Sequence, residues 1–405
     1  MTAPNIPPVA ERATSRLPSL TGMRFVAALL VVLSHVGMVI LPRTGDSWLT
    51  GLESVVYTAG PTGVVFFFVL SGFVLTWVAR PGDTRPRFWR RRLLKIYPNH
   101  LVTMGVVVVL MLLAGNAVTF NNTVPTVFLV QSWIPHQEVL LNYTSNVPTW
   151  SLACELLFYA AFPFLLPLLR RIPVDRLWHW ACGTGLAIGA MPFVALLLPA
   201  QPQMPHSPLA WWREWFVYYF PLTRLLEFVL GMLVALVVLN RRWIRLPLPA
   251  AVVLALGSYL AGSYLLPEVY SQAALTAFFL ALVIAATATA DVERRRTGFG
   301  GRTFVFLGEI SYALYIVHWL VVSYGPLGLA KPDSWMVEST VAEALWQGFW
   351  TVVISLVAAW LLYRLVELPA MRRWSRPSSA PRAPGGPKPA RPAAEDTRPK
   401  AVTRV

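Results

Sequence analysis

The chain has 405 residues, of which 56% are hydrophobic and 13% charged, with a mean hydropathy of +0.55. A water-soluble domain cannot hide that much apolar surface, so the composition implies an all-α, polytopic membrane bundle. The net charge of +15 would suggest nucleic acid in a soluble protein; here it reads as topological and lipid-facing charge, and no nucleic-acid partner is expected.

Residues 1–18 read as a cytoplasmic tail. Apolar runs then recur near 19–40, 60–79, 93–114, 149–169, 177–198, 219–239, 246–265, 270–290, 303–325 and 343–364. These predict about ten transmembrane helices, each near the 20 residues that the hydrocarbon core requires. The first run contains His35 and lacks an A-x-A cleavage site, so it reads as a retained span and not a signal peptide. Arg80, Arg85, Arg87 and Arg90 to Arg92 fall on the same side as Arg170, Arg171, Arg176, Arg241, Arg242, Arg245 and Arg294 to Arg296, whereas the opposite loops hold Arg43, Arg213 and Lys331. That asymmetry places both termini in the cytoplasm. Within the outer loop 115–148, residues 123–134 are expected to dip back or lie at the surface. After Trp374 the composition turns to Pro, Arg, Ala, Ser and Gly, which predicts a disordered basic tail over 375–405 and a membrane domain over 19–374. Cys154 and Cys182 both fall in apolar runs and are expected as free buried thiols.

Ionisable residues inside apolar spans cost at least a few kcal/mol and so tend to face a protein-lined cavity. Arg24 and His35 bracket the first span, and eleven positions at about 100° each put them on one helix face about 16 Å apart. Phe66-Phe67-Phe68-Val69-Leu70-Ser71-Gly72-Phe73 in the second span carries a small pair suited to close helix approach. The next segment, Arg90-Arg91-Arg92-Leu93-Leu94-Lys95, groups four cations. Guanidinium binds phosphate bidentately and Lys adds a point charge, so a phosphate-bearing cytoplasmic cofactor is expected at Arg90, Arg91, Arg92 and Lys95. The competing reading is topology and lipid head groups.

In the fourth span Glu155 and Tyr159 share a face at i,i+4. In the sixth, Arg224 and Glu227 are spaced i,i+3 and can either pair or serve a cavity. In the ninth, Ser311, Tyr315 and His318 form a polar stripe that should face the bundle. Glu367 ends the last span, where it can offset nearby arginines. His35, Glu155, Arg224, Glu227 and His318 project to the middle or outer half, and the arginine loop to the inner face. The two together suggest a tunnel that carries a long cofactor from the cytosol inward. No metal is expected.

Taken in order, Arg24 with His35 eleven positions on, the Phe66–Phe73 segment, Arg91-Arg92-Leu93-Leu94-Lys95-Ile96-Tyr97-Pro98, Trp150-Ser151-Leu152-Ala153-Cys154-Glu155 and Ser311-Tyr312-Ala313-Leu314-Tyr315-Ile316-Val317-His318 resemble the acyltransferase-3 family of integral-membrane acyltransferases. The resemblance implies ten helices, an acyl-CoA donor from the cytosol and a hydroxyl-bearing glycoside or polysaccharide acceptor. It also implies residence in the cytoplasmic membrane of a bacterium, among lipids. Lys95 stands where relatives carry a second Arg, which keeps the charge and loses the planar fork. Many relatives carry a fused extracellular domain; this chain is expected to be a stand-alone form. Its Pro18-Ser19-Leu20-Thr21-Gly22-Met23-Arg24-Phe25 start looks most like the branch that acylates macrolides or their sugars.

On this reading His35 is the general base, Glu155 orients it or binds the acceptor, and Arg24 holds the cofactor arm or neutralises developing charge. Tyr159, Arg224, Glu227, Ser311, Tyr315 and His318 are candidates for substrate binding. Direct transfer is favoured, since no Ser or Cys is recognisably paired with His35. Acylation of a cell-envelope polysaccharide or lipid is the alternative acceptor reading. A membrane transporter is the alternative of another class, because it too places charge at midplane, and a lipid-binding sensor is a third.

Overall fold

The computed structural model describes residues 16–44, 47–80, 82–204, 209–267, 270, 275–331 and 338–374. The predicted tail over 375–405 and nearly all of the predicted N-terminal tail lie outside these residues. The described residues fold as a helical bundle without a β-strand. Its long helices are α1 (Pro18–Thr44), α2 (Ser47–Trp77), α3 (Arg85–Leu113), α4 (Trp150–Leu169), α5 (Leu177–Ala195), α6 (Pro221–Leu239), α7 (Leu248–Leu265), α8 (Thr276–Val292), α9 (Arg302–Tyr324) and α10 (Val341–Leu362).

Each of the ten predicted runs falls on one of these helices. Among the described residues eight are long and apolar enough to cross a membrane, α2 from Leu52 onward and α10 continued to Arg373. The other two, α5 and α8, have 19 and 17 residues. Two boundaries differ from the sequence reading. α2 begins well before residue 60 because Pro61 sits inside the helix and does not start it. α3 begins at Arg85, with Pro86 in its first turn, where a missing N–H costs nothing. The arginine-rich segment is therefore helix and not loop. α10 starts sharply, with a capping box in which Thr340 and Glu343 satisfy each other's backbone N–H.

The core forms where α1 lies between α2 and α9, and where α2 crosses α6. Small residues make that second crossing tight. A methyl group on Gly72 would meet the Phe228 carbonyl oxygen, and one on Gly231 would meet the Val69 carbonyl oxygen. Gly72 thus makes the close helix approach expected of the Ser71-Gly72 pair. At the inner end of α1, Asp291 of α8 accepts hydrogen bonds from the Ser19 backbone N–H (2.9 Å) and hydroxyl (2.5 Å), so the helix start is capped by a neighbouring helix.

The outer connection between α3 and α4 is structured. Among its elements are a short helix, Phe120–Val127, and a 3₁₀ turn, Gln131–Trp133. Ser132 donates to the Trp150 carbonyl (2.8 Å), which ties the predicted re-entrant stretch to the start of α4. Cys154 is a free buried thiol as expected, but Cys182 is free and exposed. The reason is that α5 lies at the bundle's edge and turns that face outward.

Candidate active site

Five helices, α1, α2, α3, α4 and α9, line a central cavity. Its wall along α2 is Val64, Phe67, Phe68, Ser71, Val74 and Leu75. Eleven positions from Val64 to Leu75 make it about 16 Å long at ~1.5 Å per residue. One side is apolar. The other holds Arg24, Arg92, Lys95, Glu155 and Tyr159.

These charges act on one another. Lys95 lies in the field of Arg24 and Arg92, opposed by Glu155 and by Glu367 behind it. Tyr159 donates to the Glu155 carboxylate (3.3 Å) and interacts with the Ser71 hydroxyl. Glu367 accepts from the Asn99 amide (2.8 Å) one helical turn beyond Lys95, so it faces the bundle interior. Tyr312 donates to the Ile96 carbonyl (3.0 Å), locking α9 to α3 beside Lys95. At the deep end the Ser151 and Tyr315 hydroxyls meet at 2.7 Å, and both reach the Pro148 carbonyl.

A second recess lies where α2 ends and α3 begins, beside the end of α4. Arg80, Arg85, Arg91, Arg92 and Arg170 line it, together with Asp83. Leu75 and Arg92 belong to both walls, so the arginine-rich mouth and the central cavity adjoin there. Arg92 holds its guanidinium over the Phe88 ring (5.5 Å) and the Tyr159 ring (5.9 Å). Arg91 is paired with Asp83. Arg80, Arg85 and Arg170 were read in the sequence only as topological charge. Arg90 departs from expectation: it is exposed and lines neither recess, because it lies on the outward side of the first turns of α3.

His35 is not part of the cavity wall that Arg24 helps to form. It lies about 25 Å along α1 from Pro18, and His318 about 24 Å along α9 from Arg302, so the two meet at one depth. His35 Nδ1 is 2.8 Å from His318 Nε2. The rings are nearly coplanar, centroids 5.2 Å apart with 7° between planes, and Trp319 presents its ring to His35 at 4.9 Å. Tyr315 separates this pair from the cavity: its ring packs against Phe67 (5.9 Å) on one side and His318 (6.0 Å) on the other. The connection before α4 straps over the outer side, with the Tyr143 carbonyl accepting from Trp319 (3.2 Å) and Ser323 (3.0 Å) and Asn146 donating to the Ile316 carbonyl (2.9 Å).

Three residues expected at the site do something else. Arg224 and Glu227 pair with each other at 2.9 Å, almost wholly buried, with the guanidinium over Phe68 (5.1 Å) and Tyr218 (5.2 Å). Neither lines the cavity, because the i,i+3 spacing lets the two neutralise each other inside the bundle. Ser311 turns its hydroxyl back to the Gly308 carbonyl (2.7 Å), one turn earlier on its own helix, and is fully buried. Among the described residues no group of three or more His, Cys, Asp or Glu is placed to hold a metal ion.

The family model described as an acyltransferase domain matches residues 17–364, which includes all five helices around the cavity. The chain belongs to the acyltransferase-3 family. It is 39% identical over 377 residues to the acyltransferase MdmB of Streptomyces mycarofaciens, covering 89% of this chain and 93% of that protein. A Staphylococcus aureus protein named for O-acetyltransferase activity is 25% identical over 394 residues, covering 87% of this chain and 57% of that protein. The peptidoglycan O-acetyltransferase OatA of Listeria monocytogenes is 24% identical over 382 residues, 87% of this chain and 55% of that protein. No solved structure matches the chain. The protein is thus a multi-pass membrane acyltransferase, and the polar cavity among its helices is the candidate active site.

Proposed function

We propose that the protein moves an acyl group from acyl-CoA to a hydroxyl of a glycosylated small molecule, with a macrolide as the favoured acceptor. The observation that carries the donor assignment is that the two recesses share Arg92 and Leu75 in their walls. An arginine-rich mouth suited to the phosphates of CoA adjoins an elongated cavity suited to its uncharged arm. CoA fits this donor set: guanidinium groups at the wide end for its phosphates, and an apolar wall with scattered hydroxyls for the rest. Arg80, Arg85, Arg91, Arg92 and Arg170 would hold the phosphates.

In this reading His35 takes the proton of the acceptor hydroxyl as its oxygen attacks the thioester carbonyl. The C–S bond breaks as the ester C–O bond forms, and the proton passes to the departing thiolate, giving free CoA thiol. Arg24, Lys95 and Arg92 supply the positive field that favours the anionic donor and the developing negative charge. The loop charges support a mouth that faces the cytosol and residence in a bacterial cytoplasmic membrane.

The match over nearly the full length of MdmB, and the Pro18–Phe25 start, support the small-molecule acceptor. The similarity to a peptidoglycan O-acetyltransferase supports a polysaccharide acceptor as a second reading. The test incubates membranes holding the protein with a panel of acyl-CoAs and either a mycarose-bearing macrolide or a peptidoglycan fragment, and weighs products by mass spectrometry. A mass gain equal to the acyl group, absent with His35→Ala, is the expected result. Unchanged transfer in His35→Ala, or solute uptake into vesicles without CoA dependence, would overturn the reading.

A further inference from the structure

We infer that His318 is a positioning residue: it fixes the tautomer of His35 so that Nε2 of His35 carries the free lone pair. This rests on the reading of His35 as the general base.

The argument starts at the buried end of the pair. His318 is fully buried, and its Nδ1 faces two groups that can only accept, the Tyr315 carbonyl at 2.7 Å and the Leu314 carbonyl at 3.2 Å. Nδ1 of His318 must therefore carry a proton. A second proton on the same ring would leave a buried cation, and among the described residues no carboxylate is paired with either imidazole. An unpaired buried charge costs several kcal/mol, so His318 is neutral and its Nε2 is an acceptor. Its hydrogen-bond partner among the described residues is Nδ1 of His35, at 2.8 Å. That nitrogen must then be the protonated one in His35, which leaves Nε2 of His35 unprotonated.

The Tyr315 carbonyl thus sets the state of one ring, and that ring sets the state of the next. His35 is the more exposed of the two, so the free lone pair is on the more accessible ring. Trp319, against the face and edge of His35, holds the ring plane in which this bond is made. Among the described residues Glu155 accepts from Tyr159, whereas the ring nitrogen of His35 is bonded to His318. The two imidazoles lie 283 positions apart in sequence, so the pairing joins the first and ninth helices of the bundle at the reaction centre.

Two conservative variants separate positioning from packing. In His318→Gln the amide oxygen falls where Nε2 was and still accepts from His35. In His318→Asn the amide reaches only the position of Nδ1, satisfies the Tyr315 carbonyl and loses His35. Thiol release from acetyl-CoA, with a mycarose-bearing macrolide as acceptor, gives kcat and the KM for acetyl-CoA in purified protein of matched monodispersity. The expected result is that His318→Gln keeps kcat within about three-fold. His318→Asn should lose at least ten-fold, bounded by the roughly 10²–10⁴-fold that general-base catalysis contributes, with KM for acetyl-CoA unchanged in both. Equal kcat in the two variants, or a loss that appears in KM, would overturn the inference. An active His35→Ala would instead overturn the base assignment on which it rests.

Discussion

The Arg92 guanidinium lies over the Tyr159 ring, 5.9 Å from its centroid, at the point where the arginine-rich mouth meets the central cavity. A cation over an aromatic face is held in place as well as attracted. Arg92 is accordingly the one arginine of the Arg90-Arg91-Arg92 run that is fixed at the cavity entrance: Arg90 is exposed, and Arg91 is paired with Asp83. Arg92→Ala should raise the KM for acyl-CoA at least about ten-fold, the loss of one charge-assisted contact. Arg92→Lys should recover only part of it, because the ammonium keeps the charge but not the planar stacking. Arg90→Ala should change KM less than two-fold. Steady-state thiol release against acyl-CoA concentration checks all three.

The Arg224–Glu227 pair predicts a stability effect with no donor effect. Both side chains are almost wholly buried, and each is the other's ion-pair partner at 2.9 Å. Removing one partner leaves an uncompensated buried charge, which costs about 3–5 kcal/mol. Glu227→Leu should therefore lower the yield of monodisperse protein in detergent and its thermal midpoint. The double change Arg224→Met with Glu227→Leu should restore both, since an apolar pair of similar volume is often neutral. In the double variant the KM for acyl-CoA should match the unaltered protein; a rise would place the pair in the donor site after all.

The α2–α6 crossing is set by two glycines whose added methyl groups would each meet a carbonyl of the facing helix. Backbone cannot yield as a flexible side chain does, so overpacking here should cost about 1–3 kcal/mol. Gly72→Ala and Gly231→Ala should each lower the thermal midpoint measured by fluorescence-detected size exclusion. Gly105→Ala, on α3 with open space around it, is the control and should leave the midpoint unchanged.

The span positions, their helical nature and most of the cavity's charges were legible because lipid leaves few alternatives. Twenty apolar residues must be helix, and an interior Arg, Lys or Glu must face protein. Arg24, Lys95, Glu155 and Tyr159 converged for that reason. The same signal could not separate Glu155 from Glu227. Both are carboxylates deep in a span, and only the packing shows that one faces a cavity while the other is paired with a residue three positions away. His35 and His318 were each visible as buried imidazoles, but their contact joins helices far apart in sequence, which no local period encodes. Arg80, Arg85 and Arg170 were hidden by ambiguity: a topological arginine and a phosphate-binding arginine look alike until the fold puts them around one recess. The start of α2 was misplaced because Glu53, Ser54, Thr58 and Gly60 interrupt the apolar pattern before residue 61, whereas the helix runs continuously through them and through Pro61.

Glu155 has two candidate duties, orienting the base or binding the acceptor, and the hydrogen bonds favour the second. His35 makes its ring contact with His318, while Glu155 lies on the cavity wall with one carboxylate oxygen toward Tyr159. A carboxylate there can accept from acceptor hydroxyls, and it partly cancels the cations of Arg24, Lys95 and Arg92. Glu155→Gln removes the charge but keeps an acceptor oxygen of the same reach. It should raise the KM for the hydroxyl substrate about ten-fold or more, the difference between a charged and a neutral hydrogen bond. The KM for acyl-CoA should stay level or fall, because the field around the donor becomes more positive. An orienting role predicts the reverse pattern, a loss in kcat with both KM values unchanged. Varying each substrate in turn at saturating levels of the other decides between the two, and a ten-fold fall in kcat alone would return Glu155 to the base.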